Sequence, residues 1–242
     1  METNEHQVRS ELREGAAALG IELSDVQIQQ FIGYATLLEE WNARMNLTRI
    51  SPDEVVPLHF LDSLAACRAL DMHSVHCLID IGTGAGLPGL PLKIAFPHLS
   101  VTLLDATRKR LVFLEEVIDR LGLHDIRTLH ARAEVAGRQT KYREVYDAAI
   151  ARAVARMNIL VEWMLPFVRP GGHALALKSA TADAEIGQAQ QAIHRLGGRL
   201  GRIVPVTIPG TDILRKIVVV DKMRRTPLRY PRAGTEIKRF PL

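Results

Sequence analysis

The sequence predicts an α/β fold: a doubly wound, mostly parallel sheet with helices on both faces and a helical extension at the amino terminus. Three observations predict it. From about Val75, short apolar runs alternate with segments of helical period. The first of these runs ends in a glycine-rich loop. The last two are joined by a connection too short for a crossover helix, so that pair should be antiparallel.

Each element has its own signal. Ser24 with Gln27 three residues on is a capping-box start, and Ile28, Phe31, Ile32, Ala35, Leu38 and Met45 then recur at helical spacing. Ser51-Pro52-Asp53-Glu54 is a second helix start, followed by a stripe of Leu58, Leu61, Leu64 and Ala65. Cys77-Leu78-Ile79-Asp80-Ile81 and Val101-Thr102-Leu103-Leu104-Asp105 are short apolar runs that read as buried strands. Leu111, Leu114, Val117, Ile118 and Leu121 follow at helical spacing, with Gly122 as the stop. A weaker strand is expected over 126–130 and another over 148–150, then a helix over 158–167. Pro170-Gly171-Gly172 reads as a turn before a strand over 173–178. A helix over 183–196 should close at Gly197-Gly198, and the final strands should occupy 203–208 and 217–221. No internal repeat is visible. The expected division is a helical extension over 1–73, a core over 74–221 and a basic tail over 222–242.

Composition narrows the class. The 242 residues are 47% hydrophobic and 24% charged, values of an ordinary globular protein rather than a disordered one. Cys67 and Cys77 make neither a disulfide framework nor a C-x-x-C zinc pair, and no metal site is expected. The first fifteen residues carry no apolar stretch, and no apolar run is long enough to span a bilayer, so a cytoplasmic location without membrane attachment is expected.

The formal charge of +4 is unevenly spread. Residues 222–242 hold seven basic side chains (Lys222, Arg224, Arg225, Arg229, Arg232, Lys238, Arg239) against Glu236, leaving the rest of the chain at −2. Pro227, Pro231, Pro241, Tyr230 and Phe240 interrupt those charges with rigid and aromatic positions. A solvated tail would account for the composition; a polyanion partner, RNA or DNA, would also use the prolines and aromatics.

The loop Asp80-Ile81-Gly82-Thr83-Gly84-Ala85-Gly86-Leu87-Pro88-Gly89 fits two cofactors. Read from Gly84 it is G-x-G-x-x-G, with Asp105 at the distance expected for the ribose of NAD. Read from Asp80 it is D-x-G-x-G-x-G, the first motif of S-adenosylmethionine-dependent methyltransferases, with Asp105 again on the ribose. Three features favour the second. Asp80 can support the cofactor's ammonium-bearing half, the Pro170-Gly171-Gly172 turn is common in that superfamily, and the sheet ends in an antiparallel pair. The nicotinamide oxidoreductase stays as the alternative, and a non-catalytic RNA-binding protein as another.

With Trp41-Asn42, Asn46-Leu47-Thr48, His59-Phe60-Leu61-Asp62-Ser63, the loop 82–89, Asp105-Ala106-Thr107-Arg108-Lys109-Arg110, Arg132-Ala133-Glu134, Ala151-Arg152-Ala153 and the tail from Thr226 to Arg232, the chain resembles the bacterial 16S ribosomal RNA guanine-N7 methyltransferase family (RsmG, or glucose-inhibited division protein B). The -GLPG ending of the loop and His59 to Ser63 are more specific than the glycines. The resemblance implies a class I, Rossmann-like fold and S-adenosylmethionine as cofactor. It implies as substrate the guanine at 527 in the 530 loop of 16S rRNA, so 16S rRNA or a small-subunit assembly intermediate is the expected partner; the chain itself is expected to be a monomer. It also implies cofactor contacts at Gly82, Leu87, Asp105, Ala106, Thr107, Ala133, Glu134 and Arg152, to which the loop motif adds Asp80, Gly84 and Gly86.

Attack by guanine N7 uses a free ring lone pair, so no general base and no catalytic residue in that sense is expected; positioning does the work. The chain lacks the Asp/Asn-Pro-Pro-aromatic motif of exocyclic-amine enzymes. Arg108-Lys109-Arg110 open a helix, where cations oppose the helix dipole at about 0.3–1 kcal/mol each. That placement suits a grip on RNA phosphates, with Arg156, Lys178, Arg224, Arg225, Arg229 and Arg232 as further expected RNA contacts. His59 and Asp62, three apart, are expected to make a structural hydrogen bond docking the amino-terminal helices, and Trp41 to be core.

Overall fold

The computed structural model describes residues 2–242, with side chains from Glu5 onward. It has a seven-stranded sheet of order β3-β2-β1-β4-β5-β7-β6. The strands are β1 (Cys77–Ile81), β2 (Ser100–Asp105), β3 (Ile126–His130), β4 (Tyr146–Arg152), β5 (Val168–Ser179), β6 (Gly198–Thr207) and β7 (Leu214–Lys222). β1 to β5 are parallel, and β7 lies antiparallel between β5 and β6. This differs from the all-parallel 3-2-1-4-5-6 order of dinucleotide-binding sheets.

Period-two alternation sends the strand side chains to two cores. On one face Leu78, Leu103, Ile150, Leu175 and Val219 pack under α1 (Glu2–Ala18), α2 (Asp25–Met45), the segment 52–68, α4 (Gly89–Ala95) and α5 (Arg108–Arg120). On the other, Ile79, Leu104, Ala149, Ala176 and Val220 pack under α6 (Ala133–Ala136), α7 (Met157–Met164), α8 (Asp183–Gln188) and α9 (Gln190–Arg195). The amino-terminal helices thus share a core with the sheet.

Ser24 accepts from the Gln27 backbone while the Gln27 side chain returns to the Ser24 N–H, the expected capping box. Gln27 Nε2 also donates to Ile94 O at 2.9 Å, which ties α2 to α4. The segment after Ser51 is less regular than expected. It is 3-10 over Pro52–Glu54, a π turn over Val56–Leu61, α-helical at α3 (Asp62–Leu64) and 3-10 again over Ala65–Arg68. Ser51 does not cap it: its hydroxyl donates to the Glu54 carboxylate at 2.6 Å instead.

Four further differences have local causes. Pro170-Gly171-Gly172 is no separate turn; it lies inside β5 as an irregularity where the register with β4 shifts between Tyr146 and Ala148, and Gly171 takes φ +86. The helix expected over 183–196 is broken at Ala189 into α8 and α9. β6 begins at Gly198, so the glycine that ends one element opens the next. The short helices α4, α6 and α10 (Gly234–Arg239) were hidden by their length and by the Pro and Gly around them.

The tail begins at the wrong end of the sheet for the expected RNA face. Asp221 pairs with His173, early in β5, and Lys222 with Gly198, so the chain leaves β7 at the amino edge of the parallel strands. There the buried Lys222 ammonium donates to Leu165 O and Thr226 Oγ1 and meets Glu144 at 3.1 Å. Arg143 donates to Thr226 O at 2.7 Å and to Tyr230 O at 2.9 Å. The chain then runs past α7, where Arg232 meets Glu162, to α10, whose Ile237 is fully buried. No helix of the described residues is long and apolar enough to cross a membrane.

Candidate functional site

At the carboxyl edge of the sheet the glycine loop is fixed by its neighbours before any ligand is considered. Gly82 and Thr83 donate backbone N–H groups to Leu104 O at 2.8 and 3.0 Å, stitching the loop to β2. Asp80, fully buried beneath it, accepts at one oxygen from Thr83 Oγ1 (2.6 Å) and from the Gly89 N–H (2.8 Å). Tyr34, buried on α2, donates its hydroxyl to Ala85 O. Gly82 and Gly86 take φ +69 and +96, and at Gly86 a Cβ would meet the side chains of Leu90 and Leu114. The glycines are therefore required by the backbone path as well as by any ligand.

Asp105, at the end of β2, accepts from the Gly84 N–H (3.0 Å) and the Thr107 N–H (2.8 Å), with Arg110 Nη1 at 3.4 Å. It orders the loop and the start of α5 together. Burial pushes the Asp80 carboxyl up to about 6 against the pull of its two hydrogen bonds and of Arg152. Its second oxygen, Oδ1, has no donor among the described residues.

A cavity of about 540 Å³ opens beside the loop. Ile81, Leu104, Ala131 and Val154 give it an apolar floor; Gly82, Ala106, Arg132, Ala133 and Glu134 stand around that floor. Three residues of the tail, Gly234, Thr235 and Lys238, and Trp163 of α7 complete the wall. These four were not anticipated: nothing in the local pattern around residue 163 or 234 shows what lies across the sheet edge from them. A groove of about 680 Å³ elsewhere, between α1, α2 and Pro52–Glu54, is rimmed by Glu5, Glu11, Glu39 and Asp53 and contains none of the expected cofactor or RNA contacts.

The expected cofactor residues separate into groups. Gly82, Ala106, Ala133 and Glu134 line the cavity. Gly84, Gly86, Asp105 and Thr107 shape the loop and the α5 start that border it. Asp80 and Leu87 are buried behind the loop, so the structure gives them a supporting position rather than an open face. Arg152 is turned the other way. Its guanidinium donates to Asp62 at 2.9 Å and to the Leu58 and His59 carbonyls. Asp62 is shared with Arg215 at 3.0 Å. Burial and the Arg152 charge lower His59 to about 4, and its Nε2 meets Thr48 Oγ1 at 2.7 Å. The docking bond expected of His59 and Asp62 is thus made by Arg152, which joins the carboxyl end of β4 to the π turn. Trp41 donates to Glu116 at 3.1 Å and packs on Phe113, partly buried.

The basic residues also separate. Arg108, Lys109 and Arg110 are exposed on the first turn of α5, adjoining the cavity-lining Ala106, and Arg156 is exposed after β4. Lys178 is withdrawn: it is 11% exposed, donates to Ala155 O and pairs with Glu185 at 3.2 Å. Arg232 is withdrawn onto Glu162. Arg224 and Arg225 are exposed, but beside Lys222 at the amino edge, away from the loop. Arg229 is exposed and lies over the Tyr230 ring.

The residues present fit an adenosyl cofactor: an apolar slot with the Glu134 carboxylate and the Arg132 and Lys238 cations around it, a close backbone approach at Gly82, and an unpartnered buried carboxylate oxygen under the loop. Fold and site together define a class I methyltransferase, with S-adenosylmethionine as its cofactor. The family described as rRNA small subunit methyltransferase G matches residues 27–209, and the chain belongs to it. It is 45% identical to the ribosomal RNA small subunit methyltransferase G of Acetivibrio thermocellus over 243 residues, covering all of both chains. It is 47% identical to that of an Exiguobacterium species over 231 residues, 95% of this chain and 97% of the other. Among solved structures, the fold is similar to a methyltransferase segment of StiE (TM-score 0.52, 15% identity, 67% of this chain and 73% of that one). It is also similar to TrmN of Thermus thermophilus (TM-score 0.50, 20% identity, 66% and 49%). The nicotinamide alternative is thereby set aside.

Proposed function

We propose that the cavity beside Gly82 holds S-adenosylmethionine and that the chain methylates N7 of a guanine in 16S rRNA, the guanine at 527 in the 530 loop. The observation that carries this reading is a juxtaposition. The cavity lined by Ala106, Ala133 and Glu134 opens at the same sheet edge as the exposed cations Arg108, Lys109 and Arg110. The names of the curated relatives support a small-subunit rRNA substrate.

When bound, the cofactor supplies an electrophilic methyl on a sulfonium sulfur. Guanine N7 has its lone pair free, so no residue need remove a proton first. The protein's share is orientation, which is worth up to about 7–11 kcal/mol when the reacting atoms are held in line. Gly82 lets the ligand approach the backbone, the apolar floor excludes water, and Glu134 offers an acceptor at the rim. Arg108, Lys109, Arg110 and Arg156 bind phosphates and fix the RNA's register without reading its sequence.

The test is transfer of radiolabelled methyl to small-subunit rRNA lacking its native modification, followed by borohydride/aniline cleavage at 7-methylguanine. One cleavage in the 530 loop is expected; label at another base or atom overturns the assigned target.

A further inference from the structure

The tail does not end as a free basic arm. After crossing from the amino to the carboxyl edge of the sheet it presents Gly234, Thr235 and Lys238 to the same cavity that Gly82, Ala106 and Glu134 enter from the core. We infer that α10 is the outer wall of the purine end of the cofactor site, and that Thr235 and Lys238 position the adenine opposite Glu134. This inference rests on the cofactor occupying that cavity.

Three observations carry it. First, the segment is held rigidly in place. Arg232 joins the fully buried Glu162 through its backbone N–H and its guanidinium at 2.7–3.2 Å, while Ile237 is fully buried and Tyr230 is 5% exposed. A wall fixed in advance costs a ligand little ordering on binding. Second, the backbone at Gly234 lies against the Glu134 carboxylate, so closely that a Cβ there would overlap it. The two walls are fitted to each other. Third, the polar groups are complementary to an aminopurine. Glu134 is an acceptor for an exocyclic amine, Thr235 and Lys238 carry donors for ring nitrogens, and between them Ile81, Leu104, Ala131 and Val154 form an apolar floor.

The position of Lys238 gives the test its discrimination. A cation beside the purine serves S-adenosylmethionine and S-adenosylhomocysteine equally, whereas a cation beside the sulfonium would repel only the former. Thr235 and Lys238 are exposed, so Thr235→Ala and Lys238→Ala leave the folded chain intact. Calorimetric titration of the wild type and the double variant with both ligands, and with S-inosylhomocysteine, is the experiment. We expect the double variant to lose about tenfold in affinity for both adenosyl ligands alike. We also expect it to lose part of the wild type's preference for the adenosyl over the inosyl compound, with RNA affinity and its salt dependence unchanged. Adenosyl affinities within twofold of wild type, a change confined to S-adenosylmethionine, or a loss confined to RNA would each overturn the inference. Failure of the wild type itself to bind S-adenosylhomocysteine would instead overturn the placement of the cofactor on which the inference rests.

Discussion

Arg232 and Glu162, seventy residues apart, form a forked ion pair in which the carboxylate is fully buried and the guanidinium is 16% exposed. Glu162 Oε2 accepts from Arg232 Nη2 at 2.7 Å, and Oε1 accepts from Nε at 2.9 Å and from the Arg232 backbone N–H at 2.8 Å. Every oxygen of a buried anion is thus satisfied by one tail residue. The Glu162 hydrogen bonds raise the Arg232 pKa above its usual value, so the guanidinium stays charged.

Breaking that pair from one side should be costly. Arg232→Ala leaves the fully buried Glu162 carboxylate without its partner and is expected to lower unfolding free energy by about 3–5 kcal/mol. Joint replacement by Arg232→Met and Glu162→Leu should cost far less, because no buried charge is stranded. Urea unfolding of the three proteins checks this; equal losses for the single and joint changes would contradict it.

Tyr34 sits in the core with its hydroxyl on Ala85 O of the glycine loop. Tyr34→Phe removes the donor and leaves the carbonyl without it, at a cost of about 1–3 kcal/mol. Because the carbonyl belongs to the loop, S-adenosylhomocysteine affinity should fall as well. Calorimetry and thermal unfolding together check both, and a stability loss with unchanged affinity would mean that the loop holds its shape without this bond.

Asp80 and His59 should pull stability in opposite directions with pH. The Asp80 carboxyl, pushed up to about 6 by burial, contributes stability that is full below the ordinary carboxylate range near pH 4 and is lost as pH rises through 6. His59, lowered to about 4 by burial first and Arg152 second, contributes stability present above its ordinary value near 6.5 and lost as pH falls through 4. Between pH 4 and 6 the two slopes oppose. Asp80→Asn should therefore expose a stability that rises with pH across this window, and His59→Gln one that falls, each by up to about 1.4 kcal/mol per pH unit. Chemical denaturation in buffers from pH 4 to 7 measures the slopes; two variants with slopes of the same sign would refute the assignment.

Arg108 and Lys109 are exposed at the start of α5, and Arg108 reaches Glu115 only at 3.4 Å. Reversing both to Glu should weaken binding of 530-loop RNA and lower the slope of log affinity against log salt by about 0.7–0.9 for each phosphate no longer neutralised. Cofactor affinity should hold, since neither residue lines the cavity. RNA affinity measured from 50 to 200 mM salt decides it, and an unchanged slope would remove these two residues from the RNA face.

Much of the fold was legible because its signals are local. β1, β2 and the loop between Asp80 and Gly89 follow from an apolar run and four closely spaced glycines, and α2 follows from Ser24, Gln27 and a single apolar face. α4 leaves no signal of its own because Gly89-Leu90-Pro91 looks like a continuation of the loop; its Gly89 N–H is satisfied by Asp80, nine residues earlier, and not by a local cap. The mixed helix after Ser51 escaped because a π turn leaves no period of its own. Of the site, the core-side wall was readable as the residues following β1, β2 and β3. Trp163, Thr235 and Lys238 were not, since each reaches the cavity from an element distant in sequence.

The sequence alone determined the alternation of strands and helices, the antiparallel finish, the glycine loop and the cations that open α5, all set by backbone preference and hydrophobic period over a few residues. Tertiary structure decided which charges are free. Arg108 and Lys109 remain in water, whereas Arg152, Lys178, Lys222 and Arg232 are drawn onto Asp62, Glu185, Glu144 and Glu162. Seen along the chain these cations are equivalent. They differ because removing a charge from water is tolerable only where folding brings a carboxylate to meet it, and all of those carboxylates except Glu185 lie seventy or more positions away.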